Sequence, residues 1–187
     1  LVVLGSTMFM FNAAGHNRTT VTGRAGNVPL VNTPGIYTVT QTNDGNATLS
    51  RLDLVTHKTL WNYPVPSCTS ETVVYGDTLY TNNGNCQVHT PTLTALNATS
   101  GTLQWSIDLS NTLRKVLPDY DAALKGTVDS ISIPAIANGQ LYAMTRSGVL
   151  FDINSQTGKV VWTYQADTTS LKELKDYNYA EMTPVVE

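Results

Sequence analysis

The chain is poor in charge. Only 13% of its 187 residues are Asp, Glu, Lys or Arg, and 11 basic against 14 acidic side chains leave a formal net charge of -3. That balance lacks the basic footprint of a nucleic-acid or anionic-membrane binder, so no nucleic-acid partner is expected. Long apolar runs are also missing. The opening "LVVLGSTMFMFN" is broken by Gly5, Ser6 and Thr7, follows no basic stretch and falls short of the ~20 residues a spanning helix needs. We therefore read neither signal peptide nor membrane span in this segment. Cysteine is nearly absent. Cys68 and Cys86 are the only two, and with His89 nearby they make three ligands at most, which is short of a tetrahedral zinc site. One disulfide in an oxidising compartment is favoured over two buried thiols. The chain does not begin with Met, and "TPVVE" stops inside an apolar run, so it reads as a fragment of something longer.

Chemistry-bearing motifs are equally scarce. His16, His57 and His89 stand apart without a metal-binding spacing. Asp119 and Asp121 lack the Gly and terminal Glu of a calcium loop, and no nucleophile elbow, phosphate loop or haem-attachment motif occurs. No catalytic residue and no metal ligand is assigned.

What the chain has in quantity is threonine, 28 residues, together with Val and Tyr, a composition suited to pleated surfaces. Asn-X-Thr occurs at Asn17, Asn46 and Asn97, each in a stretch that reads as a turn, so these are the candidate N-glycosylation sites.

It also has a repeat. "LDLVTHKTLW", "LNATSGTLQW" and "INSQTGKVVW" end at Trp61, Trp105 and Trp162. Each runs apolar, Asp or Asn (Asp53, Asn97, Asn154), two variable residues, Thr or Ser, Gly (Gly101, Gly158), three variable residues, Trp; His57 alone departs from the Gly. Upstream recur "VVYGDTLYTNNG", "AIANGQLYAMTRSG", "VVLGSTMFMFNAAG" and, more loosely, "PGIYTVTQTNDG". Alternation such as Leu141 and Ala143 against Tyr142 and Met144 marks strands, and the Gly-ended pairs mark hairpins. In the Thr/Ser-Gly turn, the Asp or Asn side chain can accept from backbone N–H groups ahead of it, and Gly supplies a left-handed residue. One unit is thus four antiparallel strands. Trp61 and Trp105 are 44 residues apart and Trp105 and Trp162 are 57 apart, within the range of propeller blades. Stacked blades cover one another's faces, which assigns the three tryptophans to the core.

The expected architecture is all-β, a propeller of four-stranded antiparallel blades with about four present and the ring incomplete. The expected units are 1–29 (partial), 30–66, 70–110, 129–166 and the start of another at 180–187. Segments 111–128 and 168–179 are inserted. "NTLRKVLPDYDAALKG" has helical spacing that Pro118 should break or restart, and Ser170 with Glu173 forms a capping box.

The phrase apolar-Asp/Asn-x-x-Thr/Ser-Gly-x-x-x-Trp, preceded by Gly-x-Leu-Tyr, resembles the repeat of the quinoprotein (PQQ-like) β-propellers. The resemblance is good at 79–105 and 141–162, moderate at 37–61 and fragmentary at 2–15. That superfamily contains pyrroloquinoline-quinone dehydrogenases and non-enzymatic relatives, including an outer-membrane assembly lipoprotein and sensor ectodomains. For the enzymes it implies PQQ, a calcium or lanthanide ion, a catalytic Asp and often a disulfide between adjacent cysteines. Cys68 and Cys86 are not adjacent, and no matching Glu/Asn/Asp set is recognisable. The reading is therefore a non-catalytic secreted or cell-surface glycoprotein propeller, a scaffold whose partners are other protein chains or further blades. A fragment of a PQQ-dependent dehydrogenase is the alternative, with PQQ and calcium as its cofactors. A third reading is a glycan- or small-ligand-binding propeller using Tyr120, Tyr177 and Tyr179.

Overall fold

A computed structural model describes residues 2–4, 7–10, 19–22, 24–25, 30–32, 35–41, 46–66, 72–82, 90–123, 129–132 and 134–165. Their strands fall into four antiparallel sheets. In the first, β1 (Val2–Leu4), β2 (Thr7–Met10) and β3 (Thr19–Thr22) lie in chain order. In the second, β4 (Arg24–Ala25) and β5 (Leu30–Asn32) both pair with β6 (Gly35–Gln41), followed by β7 (Asn46–Leu52) and β8 (Thr59–Pro66). The third orders β9 (Thr72–Tyr75), β10 (Thr78–Asn82), β11 (Thr92–Asn97) and β12 (Leu103–Asp108). The fourth repeats that order with β13 (Ala135–Ala137), β14 (Gln140–Met144), β15 (Val149–Asn154) and β16 (Val160–Gln165). This is the all-β architecture of propeller blades that the repeat predicts, and among the described residues no sheet closes on itself.

Successive hairpins explain the meander. Asn138 and Gly139, with φ of 51° and 77°, turn β13 into β14, and Gly148 at φ 80° turns β14 into β15. The ladder slips once in each of the last three sheets, between Arg51 and Leu52, between Ala95 and Leu96, and between Asp152 and Ile153. This shared bulge fixes which residues stand opposite the tryptophans.

The cores lie between sheets. Tyr37, Val39, Leu49 and Val65 of the second sheet pack with Leu79, Leu96 and Ala98 of the third. Tyr80, Leu93 and Ala95 of the third pack with Leu141, Ala143, Phe151 and Ile153 of the fourth. The alternation read from the sequence is visible directly, since Leu141 and Ala143 point into the second of these cores and Tyr142 points away from it.

Between β12 and β13 the chain forms α1 (Ser110–Val116) and α2 (Tyr120–Ala123). Asp108 Oδ1 accepts from the Ser110 N–H at 2.8 Å and so satisfies one orphan donor at the start of α1. Leu117, ahead of Pro118, is extended, with φ -120° and ψ 92°, and ends it. The expected break at Pro118 is where the structure has it. Leu109, Leu113 and Leu117 extend the core shared by the third and fourth sheets.

Candidate interaction site

The recurring turn is one device built three times. Asp53 Oδ1 accepts from the N–H groups of Val55 and Thr56 and from the Thr56 hydroxyl, at 3.0, 2.6 and 2.8 Å. Asn97 Oδ1 does the same for Thr99, Ser100 and the Ser100 hydroxyl, and Asn154 Oδ1 for Gln156, Thr157 and the Thr157 hydroxyl. Gly101 at φ 74° and Gly158 at φ 68° then return the chain to the outer strand. His57 holds the same left-handed conformation at φ 58° and makes the same backbone bond to Asp53, N to O 3.0 Å. The sequence left open whether His57 tolerates this geometry or changes the turn; it tolerates it.

The turn's second residue receives the preceding sheet. The Ala98 carbonyl accepts from the Trp61 indole N–H at 3.2 Å and from the Tyr37 hydroxyl at 3.1 Å. The Ser155 carbonyl accepts from Trp105 at 2.9 Å and from Tyr80 at 3.4 Å. Each glycine faces the indole so closely that a Cβ would lie 2.6 Å from the Trp61 ring at Gly101 and 2.7 Å from the Trp105 ring at Gly158. Tyr and Trp of one sheet therefore clamp the glycine turn of the next. Arg51, between Tyr37 and Trp61 in the cross-strand row, adds a bond from its guanidinium to the Thr99 carbonyl at 2.6 Å.

Register extends this into a six-residue face. Tyr37, Arg51 and Trp61 form one row and Val39, Leu49 and Tyr63 the next. The third sheet has Tyr80, Ala95 and Trp105, then Asn82, Leu93 and Ile107. The fourth has Tyr142, Asp152 and Trp162, then Met144, Leu150 and Tyr164. The first two faces are covered by the following sheet. The last keeps the same Tyr–Trp ring contact, centroids 6.2 Å apart, yet Trp162 is 43% and Tyr164 61% exposed. The sequence reading placed all three tryptophans alike in the core; Trp162 differs because no described turn lies over it.

Within that face Asp152 is only 4% exposed, and its buried Oδ1 has no hydrogen-bond partner. Burial pushes its carboxyl above the usual range, and a hydrogen bond from the Trp162 indole draws it part of the way back.

A second polar cluster ties the helical insertion down. Asp129 is fully buried and accepts from the Tyr120 hydroxyl at 3.0 Å, the Ser147 N–H at 3.0 Å and the Ser147 hydroxyl at 2.9 Å. Burial raises the Asp129 carboxyl and these donors oppose the rise; burial and the adjacent Asp129 push the Tyr120 phenol up. Both carboxylate oxygens are engaged, so the cluster works as a clamp between α2 and the β14–β15 hairpin. Tyr120, placed by the glycan reading on an inserted loop as a stacking surface, is instead 2% exposed inside this clamp. Asp121 pairs with Arg114 across the exposed helix surface at 3.0 Å. Among the described residues no three His, Cys, Asp or Glu side chains are grouped to hold a metal ion, and no helix is long and apolar enough to cross a membrane.

Of the candidate modification sites, Asn46 is exposed at the start of β7, opposite Pro66. Asn97 caps the turn described above. Asn17, Cys68, Cys86, His16, His89, Tyr177, Tyr179, Ser170, Glu173 and the unit expected at 180–187 lie outside the described residues. The sequence missed the clamp carbonyls, Arg51 and Asp129; the tyrosine that recurs upstream of each tryptophan, at 37, 80 and 142, was the signal that could have pointed to the clamp.

Four-stranded sheets stacked through Trp-on-Gly turns define a PQQ-like β-propeller repeat protein. The family described as outer membrane protein assembly factor BamB matches residues 69–180, more than half of the chain, and the chain belongs to that family. No curated protein matches it. Among solved structures, the quinohemoprotein alcohol dehydrogenase from Comamonas testosteroni is similar at 16% identity and a TM-score of 0.58, over 88% of this chain and 34% of that one. The computationally designed Ika8 protein aligns at 12% identity and 0.50, over 73% of this chain and 35% of that one. BamB from Moraxella catarrhalis aligns at 15% and 0.44, over 76% of this chain and 36% of that one. These likenesses are of fold, and the chain spans about a third of the length of each of these proteins.

Proposed function

We propose that the chain is a non-catalytic propeller segment that works as a scaffold for other polypeptides or for further blades, with repeat units at 30–66, 70–110 and 129–166. The observation that carries this reading is the face of Tyr142, Trp162 and Tyr164, over which no described turn lies and on which Trp162 and Tyr164 are exposed, the same residue grid that makes both internal interfaces. Membership of a family described by an assembly factor supports protein partners. The dehydrogenase alternative draws on a likeness of fold, and fold does not carry chemistry with it. The described carboxylates do not form the metal-binding set such chemistry uses, so we derive no step through PQQ or calcium.

A photoreactive residue at position 164 tests the proposal in cells that make the protein. It should cross-link to a polypeptide, whereas the same probe at position 60, on an exposed outer strand, should not. Absence of a cross-link at 164 overturns the scaffold reading. A location outside the cytoplasm belongs to the same proposal, supported by the sequons at Asn17, Asn46 and Asn97 and the Cys68/Cys86 pair. Intact mass should shift on glycosidase treatment and by two hydrogens on reduction; no shift under either treatment removes that part.

A further inference from the structure

The asparagines at the turns of the third and fourth sheets are not equally guarded. At Asn97 and Asn154 the side-chain oxygen is held by three donors each. The N–H that follows is engaged as well, Ala98 donating to the Asp77 carbonyl at 2.8 Å and Ser155 to the Gly139 carbonyl at 3.0 Å. Asn138 differs on every count. It is exposed, and its φ of 51° makes it the first residue of the two-residue turn between β13 and β14, with Gly139 behind it. Among the described residues neither the Asn138 side chain nor the Gly139 N–H has a hydrogen-bond partner. The hairpin below is short: β13 has three residues and pairs only with β14. Such a tip opens at little cost.

We propose that Asn138 is a modification site, deamidating spontaneously through a succinimide in the folded chain, and that the isoaspartate product loosens the contact between the third and fourth sheets. The Gly139 nitrogen attacks the Asn138 Cγ, and no Cβ on Gly139 obstructs the approach. A bond forms between the two atoms, the Cγ–Nδ2 bond breaks, and Nδ2 leaves as ammonia with the proton that Gly139 gives up. Water then opens the ring. Opening at the side-chain carbonyl leaves aspartate, and opening at the main-chain carbonyl leaves isoaspartate, with one more carbon in the backbone. Nothing is oxidised or reduced, and water is the only co-reactant.

The two products differ in consequence because they differ in backbone length. The Gly139 carbonyl holds the Ser155 N–H, and the Ser155 carbonyl in turn accepts from Trp105 and Tyr80 of the third sheet at 2.9 and 3.4 Å. An extra backbone atom in a two-residue turn shifts the Gly139 carbonyl off Ser155 and so disturbs the acceptor that the third sheet uses. Aspartate keeps the length and suits the turn. The equivalent turn of the third sheet is Gly76–Asp77 and holds no asparagine, so the chemistry belongs to one of two otherwise matching turns.

The test ages the whole chain at mildly alkaline pH and then cleaves it after Lys and Arg. Peptide 126–146 contains Asn138 as its one asparagine, and peptide 147–159 contains Asn154 as its one. The first should gain the mass difference between an amide and an acid, with isoaspartate detected by enzymatic methylation, while the second stays unchanged. Asn138 should react in the folded chain within about tenfold of its rate in urea, as an easily opened tip does. A larger slowing, or equal reaction of both peptides, overturns the site. The isoaspartate form, separated from the parent by charge, should melt about 2 to 4 °C lower. Its Trp105 indole N–H should also exchange faster with solvent. Asn138→Asp adds the same charge without lengthening the backbone and should melt with the parent. An equal fall in both forms, or no fall in either, overturns the loosening of the interface.

Discussion

Trp105 and Trp162 stand at the same register position of successive sheets, each beside a tyrosine, yet a described turn covers the first and none covers the second. Under Trp105 lie Gly158 and the Ser155 carbonyl of the next sheet. Over Trp162 nothing equivalent is described, and its side chain is 43% exposed. The difference shows that a propeller blade's interface is a matter of two partners: the aromatic pair is ready-made in the sheet, and the glycine turn of a neighbour completes it.

The largest expected effect comes from breaking the roofed site. Trp105→Ala removes an indole packed against the core of the third and fourth sheets and a hydrogen bond to Ser155. It should cost about 3 kcal/mol. Trp162→Ala should cost less than about 1 kcal/mol, as an exposed side chain does. Urea midpoints of the two variants check this, and equal losses would show that Trp162 is roofed after all.

Next in size is the turn side of the same contact. Gly158→Ala combines a left-handed backbone with a Cβ 2.7 Å from the Trp105 ring, and should cost about 2 to 3 kcal/mol. His57→Gly should do the opposite and stabilise by up to about 1 kcal/mol, because a strained φ of 58° is relieved at the expense of a more flexible unfolded chain. The asymmetry has a cause in the sequence. Residues 1–34 contain no tryptophan, so the turn at 53–57 receives no indole from that side and does not need a glycine.

That correlation shows how much of the fold was legible. Period-two alternation, hairpin glycines and the Asp/Asn–Gly turn are local, and the sequence displayed all of them, which is why the four-stranded units and the helix break at Pro118 could be read in advance. The clamp was half legible: Gly101 and Trp61 recur visibly, but their contact crosses 40 residues and depends on the bulge that sets register. Burial of Tyr120 was hidden because its partner Asp129 follows nine residues later with no periodic signal. The bareness of Trp162 was invisible, since the residue's own neighbourhood matches that of Trp105.

A smaller effect separates the turns themselves. Asn154→Ala removes the acceptor for two backbone N–H groups and one hydroxyl at an exposed turn, and should cost about 1 kcal/mol by analogy with a lost helix cap. Asp53→Ala should cost less, because Leu54 at the clamp position of that turn is 40% exposed and receives no described aromatic, whereas the Asn154 turn positions the Ser155 carbonyl that both Tyr80 and Trp105 use. Thermal midpoints of the pair measure how much of a turn's value comes from the aromatics docked on it.

The smallest effect distinguishes the first turn by charge. Asp53 is the one ionisable cap of the three, and hydrogen bonds from Thr56 and Val55 hold its carboxyl below the usual range. A depressed folded-state value contributes stability that is present above the unfolded value near pH 4 and is lost as pH falls through the folded one. Asp129 and Asp152, both raised by burial, act with the opposite sign: their ionisation opposes folding as pH rises above about 4. Asp53→Asn should therefore flatten the loss of stability on acidification without altering the slope above pH 5. Urea midpoints between pH 2 and 6 for the parent chain and this variant give the comparison. Parallel curves throughout would mean that the Asp53 cap holds a proton-insensitive turn, as Asn97 and Asn154 do.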